Sequence, residues 1–157
     1  MEANHHLAPL ATLEVEASMD HWEELNDFIE LYSNQQLGSG SRSYRLRLAC
    51  EELFSNIIRH SGDEERTLPV LLTLRVFLLD EPDTTTKTLM VEILDNGPLF
   101  DPQVDTDRVI PSHLPASDRP IGGLGLFLVQ QSVDRLQYDC VESTNRYRLF
   151  VNLDSNS

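Results

Sequence analysis

Glu52, Asn56 and His60 follow one another at four-residue spacing inside an otherwise apolar stretch. On a helix this spacing places side chains on one face, one turn apart. A carboxylate in such a position can accept the proton of an attacking hydroxyl. An amide oxygen one turn away can bind Mg²⁺, a hard cation that takes few protein ligands. The same spacing is typical of the exposed polar edge of an amphipathic helix, so the pattern alone leaves both interpretations open.

A second candidate group stands where an apolar segment, residues 91–94, ends in Asp95, Asn96, Gly97 and Pro98. Asp95 at a strand end can accept a hydrogen bond from the amino group of an adenine base. Gly97 has no side chain and would let the backbone pass close to that base. A hydrogen bond to a charged acceptor contributes about 1.5–3 kcal/mol. Because these four residue types are also the commonest turn formers, an ordinary turn is the alternative.

A third group consists of Gly122, Gly123 and Gly125 at the start of an apolar segment. Uncrowded N–H groups at the beginning of a helix bind phosphate well. No Gly-Lys-Ser/Thr sequence follows, which excludes a P-loop, and no strand directly precedes it, which argues against a dinucleotide fingerprint. A glycine-rich hinge before a core helix is the alternative interpretation.

The elements that position these groups are predicted from hydrophobic periodicity and turn residues. The segment 95–121 contains five prolines and no periodicity, and a loop of this length is more often functional than idle. The order of the predicted strands and helices along the chain indicates one domain over residues 1–157. Its predicted architecture is an α/β (α+β) two-layer sandwich. Its mixed, mainly antiparallel sheet has about five strands, with three helices on one face. Strands are expected over residues 12–17, 68–79, 88–94, 138–141 and 147–153. Helices are expected over residues 18–37, from residue 41 or 43 to about residue 60, and over residues 122–136.

Charge and composition narrow the possible partners and location. Twelve basic and 26 acidic residues give a net charge of −14, which disfavours binding to nucleic acid or to an anionic membrane. No apolar run approaches the roughly 20 residues of a membrane span, and the N-terminus does not look like a secretory signal. We therefore expect a cytoplasmic protein. Cys50 and Cys140 are predicted to be reduced thiols packed as small hydrophobic groups.

In combination, the three groups resemble the nucleotide motifs of the GHKL ATPase superfamily. More closely, they resemble the anti-sigma-factor serine kinases of partner-switching systems, the RsbW and SpoIIAB type. The resemblance covers roughly residues 12–153 and implies a GHKL histidine-kinase-like ATPase fold. It implies that Glu52 is the catalytic base, Asn56 the Mg²⁺ ligand and Asp95 the adenine anchor. The further ATP contacts that it implies are Gly97, Phe100, Gly122, Gly123, Leu124 and Gly125, with an ATP lid over about residues 101–121.

Three positions lie at the margin of this resemblance. Arg119 in the lid is a candidate phosphate contact, although it falls outside the motifs. His60 is expected to be structural. The family often has a Gly-Thr-Thr-like turn before its last strand, whereas residues 143–146 read Ser-Thr-Asn-Arg here. This departure puts γ-phosphate contacts from that end in doubt.

The function implied by the resemblance is that of an ATP- and Mg²⁺-dependent serine kinase and anti-sigma factor. Its substrate would be an anti-anti-sigma (STAS-type) antagonist protein, its second partner a sigma factor, and its assembly a homodimer. Two alternatives stay open. One is a non-catalytic switch in which ATP only sets partner affinity, and the other is a detached histidine-kinase-like ATPase domain. Glu52 argues against the first because a binding-only site needs no base, and a short first helix argues against the second.

Overall fold

The computed structural model describes residues 7–62, 67–80, 87–99 and 129–153. One antiparallel five-stranded sheet has the order β1-β2-β3-β5-β4. The strands are β1 (Ala11–Glu16), β2 (Leu71–Asp80), β3 (Lys87–Asp95), β4 (Arg135–Val141) and β5 (Thr144–Asn152). Helices α1 (Trp22–Leu37) and α2 (Ser41–His60) lie between β1 and β2, and residues 129–132 are helical. The predicted mixed α/β architecture is confirmed.

The first helix begins and ends where its capping residues predict. The Ser18 hydroxyl accepts a hydrogen bond from the Asp20 N–H at 3.1 Å, and a short 3₁₀ turn, Met19–His21, leads into α1. Gly38 ends the helix with a φ of 79°, a conformation that glycine adopts without steric cost. Its N–H donates to the Asn34 carbonyl. The Gly38 cap therefore ends α1 directly before the short connection to α2.

The helices and the sheet share one hydrophobic core. In the antiparallel register Val76 lies opposite Val91, and Val91 lies opposite Leu149; all three are buried. Burial of such side chains contributes roughly 1.5–3 kcal/mol each. The predicted inner stripe of α2 is buried in the same cluster and consists of Leu46, Cys50, Leu53 and Ile57. This packing holds the polar flank of α2 in a fixed position relative to β3.

Strand β3 is buried on both faces, which simple alternation did not predict. Glu92 points away from the core cluster yet is only 4% exposed. Its carboxylate pairs with Arg75 at 3.3 Å and with Arg148 at 3.1 Å. A carboxylate this deeply buried requires such pairing, because an unpaired buried charge costs several kcal/mol. The two arginines therefore cover the central strand on the outer face.

The predicted third helix is wrong at its C-terminal end. Residues 133–136 were expected to be helical, but β4 begins at Arg135, which pairs with Phe150. Val133 and Leu136 are three residues apart, which fits helical periodicity, but cross-strand pairing with β5 decides their conformation. The β4–β5 turn, at Glu142 and Ser143, has φ values of 51° and 65°. Positive φ at both positions is the pattern of a type I′ hairpin.

The two cysteines differ in burial. Cys50 is buried as predicted, whereas Cys140 is exposed, so the expectation that it packs as a core residue is wrong. Cys140 lies on β4 at the edge of the sheet, where it pairs on one side only. Burial, together with the neighbouring charge of Glu51, raises the pKa of the Cys50 thiol well above its usual range.

Across the parts of the chain that the structure describes, none of the helices combines the length and apolar character needed to span a membrane.

Candidate functional site

Asp95 is the last residue of β3 and is only 4% exposed. It shares a sheet face with the core residue Ile93, two positions earlier, so its side chain lies on the helix side of the sheet. Its Oδ1 accepts a hydrogen bond from the Gly97 N–H at 2.9 Å and another from Asn145 Nδ2 at 3.0 Å. Donors from two separate chain segments therefore hold this carboxylate in place.

Asn145 is a residue of the candidate site that the sequence analysis did not name as a contact. It lies opposite Asp95 in the β3–β5 register and is 1% exposed. Its Nδ2 also donates to the Pro98 carbonyl at 3.0 Å, and its Oδ1 accepts a hydrogen bond from the Tyr138 hydroxyl. Asn145 thus links β3, the turn after β3, and β4. We name these three side chains, Asp95, Asn145 and Tyr138, the anchor cluster.

Asn145 belongs to the segment, residues 143–146, that replaces the Gly-Thr-Thr-like turn of the family. The sequence analysis related this replacement to contacts with the γ-phosphate. The register instead directs the Asn145 side chain to Asp95, at the proposed base-binding end. No sequence pattern specifies which residue of β5 faces Asp95, because that depends on how the two strands pair.

Gly97 stands where a side chain would be crowded. A Cβ atom there would lie 3.1 Å from Asp95 Oδ1 and 3.3 Å from Val70 Cγ1. Next to it, the Asn96 side-chain oxygen accepts a hydrogen bond from the Leu71 N–H at 2.8 Å. The Asp-Asn-Gly sequence is therefore a specific, tightly packed connection against the start of β2. The proposed approach of the base to Gly97 stays a prediction.

Glu52, Asn56 and His60 lie on α2 as the spacing predicts. Glu52 and Asn56 are half-buried and His60 is exposed. They flank the apolar stripe of α2 that packs against the face of the sheet carrying Asp95. Arg59 Nη2 donates to Asn56 Oδ1 at 2.6 Å. An amide oxygen has two lone pairs, and the guanidinium of Arg59 occupies one of those on Asn56 Oδ1.

The remaining predicted contacts lie outside the described residues. These are the ATP lid at about residues 101–121, together with Phe100, Arg119, Gly122, Gly123, Leu124 and Gly125. Within residues 7–62, 67–80, 87–99 and 129–153, no three His, Cys, Asp or Glu side chains are grouped as metal ligands.

Comparison with known proteins identifies a family. Residues 15–149 match the histidine kinase-like ATPase domain family. Among solved structures, the chain is similar to the histidine kinase AdeS of Acinetobacter baumannii, with 14% identity and a TM-score of 0.47. That alignment covers 97% of this chain and 72% of the other. No curated protein sequence matches the chain.

Proposed function

The chain belongs to the histidine kinase-like ATPase domain family, and we propose that within it the protein is an ATP-dependent serine kinase and anti-sigma factor. Its substrate is an antagonist protein of the anti-anti-sigma type, phosphorylated on a serine. A sigma factor is the second partner, and the kinase acts as a homodimer in the cytoplasm. The proposal is supported by the motif resemblance and by the geometry of the anchor cluster and α2.

The observation that carries the proposal is the buried, oriented carboxylate of Asp95 beside the helix layer. Two fixed donors hold it, from Gly97 and Asn145. A carboxylate fixed in this way can accept a hydrogen bond from the exocyclic amino group of adenine without reorganising first. A guanine base presents a carbonyl oxygen at the corresponding position and would meet the carboxylate with a second acceptor. The anchor cluster thus favours ATP over GTP.

Glu52 and Asn56 supply the chemistry at the other end of the nucleotide. Glu52 accepts the proton of the substrate serine hydroxyl as its oxygen attacks the γ-phosphorus, and ADP leaves with the electrons of the broken P–O bond. Asn56 holds Mg²⁺, which when bound neutralises the phosphate charge. Arg59 donates to one lone pair of Asn56 Oδ1, which leaves the second lone pair for a cation.

The decisive experiment incubates the full chain with labelled ATP, Mg²⁺ and candidate antagonist proteins from its own operon. We expect acid-stable phosphoserine on one candidate. Acid-labile phosphohistidine would instead indicate the histidine-kinase alternative, and absence of any transfer would indicate a binding-only switch.

The matched variant is Glu52→Gln, which keeps the size of the side chain and removes the base. We expect phosphotransfer to fall by about 10²- to 10⁴-fold while calorimetry shows unchanged ATP affinity. Transfer at the wild-type rate would show that Glu52 is not the base.

A further inference from the structure

Two arginines near the start of α2 form no ion pair with any residue that the structure describes. Arg42 and Arg45 lie in the first two turns of a 20-residue helix that has no acidic residue in its first turn. The positive end of a helix dipole disfavours cations there, and like charges three residues apart repel. No ion pair joins either arginine to any residue that the structure describes, although the chain carries a net charge of −14.

Several other arginines that the structure describes have carboxylate partners. Arg47, one turn further along α2, meets Glu30 at 3.6 Å, and Arg146 meets Asp139 at 2.6 Å. Nη2 of Arg42 is buried and has no hydrogen-bond partner among the described residues, and the same holds for Nε of Arg47. Unlike Arg47, Arg42 has no ion pair to a described residue. A buried guanidinium nitrogen without a partner costs free energy. An anion beside Arg42 would remove this cost and the repulsion from Arg45 together.

A cavity of about 140 Å³ lies at this point. Arg42 and Arg45 form one wall, and residues 131–134 with Val151 form the other. Asp134 contributes the cavity's carboxylate, and its Oδ2 already accepts a hydrogen bond from the Asn152 N–H at 2.7 Å. Gly40, the N-cap residue of α2, makes no side-chain cap hydrogen bond. The cavity is large enough for one carboxylate or sulfate-sized group.

The cavity lies in line with the proposed catalytic residues. Arg45 precedes Glu52 by seven residues, which places the two on one side of α2 and about 10 Å apart. Asn56 follows Glu52 on the same side. Along α2 the order is therefore proposed metal ligand, proposed base, arginine pair. When the acceptor serine of a substrate protein faces Glu52, neighbouring residues of that substrate can lie near Arg45.

We propose that this arginine pair binds a carboxylate of the protein substrate, about 10 Å from the acceptor hydroxyl. This distance corresponds to roughly three residues of extended chain. The inference rests on the proposed function for the identity of the ligand, whereas the anion site itself stands on the residues of the cavity. An acidic kinase thereby recognises an acidic segment through a local pair of cations and not through its overall field.

The first test measures the site without phosphotransfer. The double variant Arg42→Gln/Arg45→Gln is compared with Lys87→Gln/Arg135→Gln, which removes two positive charges from β3 and β4. Sodium sulfate is titrated against sodium chloride at equal ionic strength, in the presence of Mg-ADP. We expect sulfate to raise the Tm of the wild type and of the control by more than that of the α2 variant. Equal shifts in all three proteins would overturn the anion site.

The second test measures the identity of the ligand. This test requires an antagonist protein that the wild type phosphorylates. For that protein, the KM of the Arg42→Gln/Arg45→Gln variant should be roughly 10- to 100-fold higher than that of the wild type, and the KM for ATP should be unchanged. Neutralising an acidic residue near the acceptor serine should raise the KM for the wild-type kinase and have little further effect on the variant. Additive effects of the two changes would overturn the assignment. Absence of transfer by the wild type would overturn the proposed function and the substrate assignment with it, while the sulfate titration still decides the anion site.

Discussion

The two ends of the proposed nucleotide site differ in how their polar groups are held. At the end of β3, Asp95 and Asn145 are nearly inaccessible to solvent and are bonded to each other and to neighbouring backbone. On α2, Glu52 and Asn56 are half-buried, and the predicted metal ligand is bonded to an exposed arginine instead. Each end has a carboxylate and an amide. Only the pair at the end of β3, Asp95 and Asn145, is held by a hydrogen bond between chain segments that are distant in sequence.

This difference corresponds to the two proposed roles of the site, which are recognition of the adenine base by the anchor cluster and phosphate chemistry on α2. Rigid buried groups can bind a base without an ordering cost at the moment of binding. A proton acceptor and a metal ligand must exchange partners during each cycle, which half-exposed side chains permit. We therefore expect substitutions in the anchor cluster to change binding and stability, and substitutions on α2 to change turnover or metal dependence.

The largest binding effect should come from Asp95→Asn. The variant keeps the shape of the side chain and an oxygen that can accept from Gly97 and Asn145, but it removes the charge that would face the adenine amino group. We expect ATP affinity to fall by about 1.5–3 kcal/mol, or roughly one to two decades, in a calorimetric titration.

Glu52→Gln is the matched control, because it is an equally conservative change at the other end of the site. If both variants bound ATP as the wild type does, the two ends would not differ as described and Asp95 would not be the anchor.

Asn145→Ala should come next in size and should affect stability as well as binding. It leaves the Asp95 carboxylate and the Pro98 carbonyl without the donor that they now share. Loss of a partner to buried polar groups costs about 1–3 kcal/mol, and we expect a drop of that order in the free energy of unfolding measured with urea.

Asn152→Ala provides the comparison for this prediction, since Asn152 ends the same strand and is exposed. Its Oδ1 accepts a hydrogen bond from the Thr88 hydroxyl at 3.2 Å. We expect a smaller loss of stability there and no change in ATP affinity. An Asn145→Ala protein with wild-type stability would contradict the structural role of the anchor cluster.

The smallest effect is expected for Arg59→Gln. Removing the guanidinium frees Asn56 Oδ1 and removes a positive charge from the proposed cation site, so less Mg²⁺ should be needed for half-maximal activity. We expect a shift of about twofold to fivefold, corresponding to a surface charge interaction of less than about 1 kcal/mol. An increased Mg²⁺ requirement would indicate that Arg59 helps to hold the phosphates instead.

Much of the fold could be predicted from local pattern. The caps at Ser18 and Gly38 and the stripe of α2 that contains Cys50 are read from residues close in sequence. The sequence did not predict the end of the third helix, because the conformation of Arg135 depends on pairing with Phe150 far along the chain. It also placed Cys140 in the core, since nothing local distinguishes an edge strand from an inner one.

The sequence by itself determined the order of the elements, the Glu52–Asn56 face of α2 and the position of Asp95 at a strand end, because helical and strand periodicities are local properties of the chain. Only the tertiary structure decided that Asn145 holds Asp95, that Arg59 contacts Asn56, and that Arg42 and Arg45 line one cavity. The physical reason is that strand register and side-chain packing join residues distant in sequence, and the free energies involved depend on burial, which no local pattern specifies.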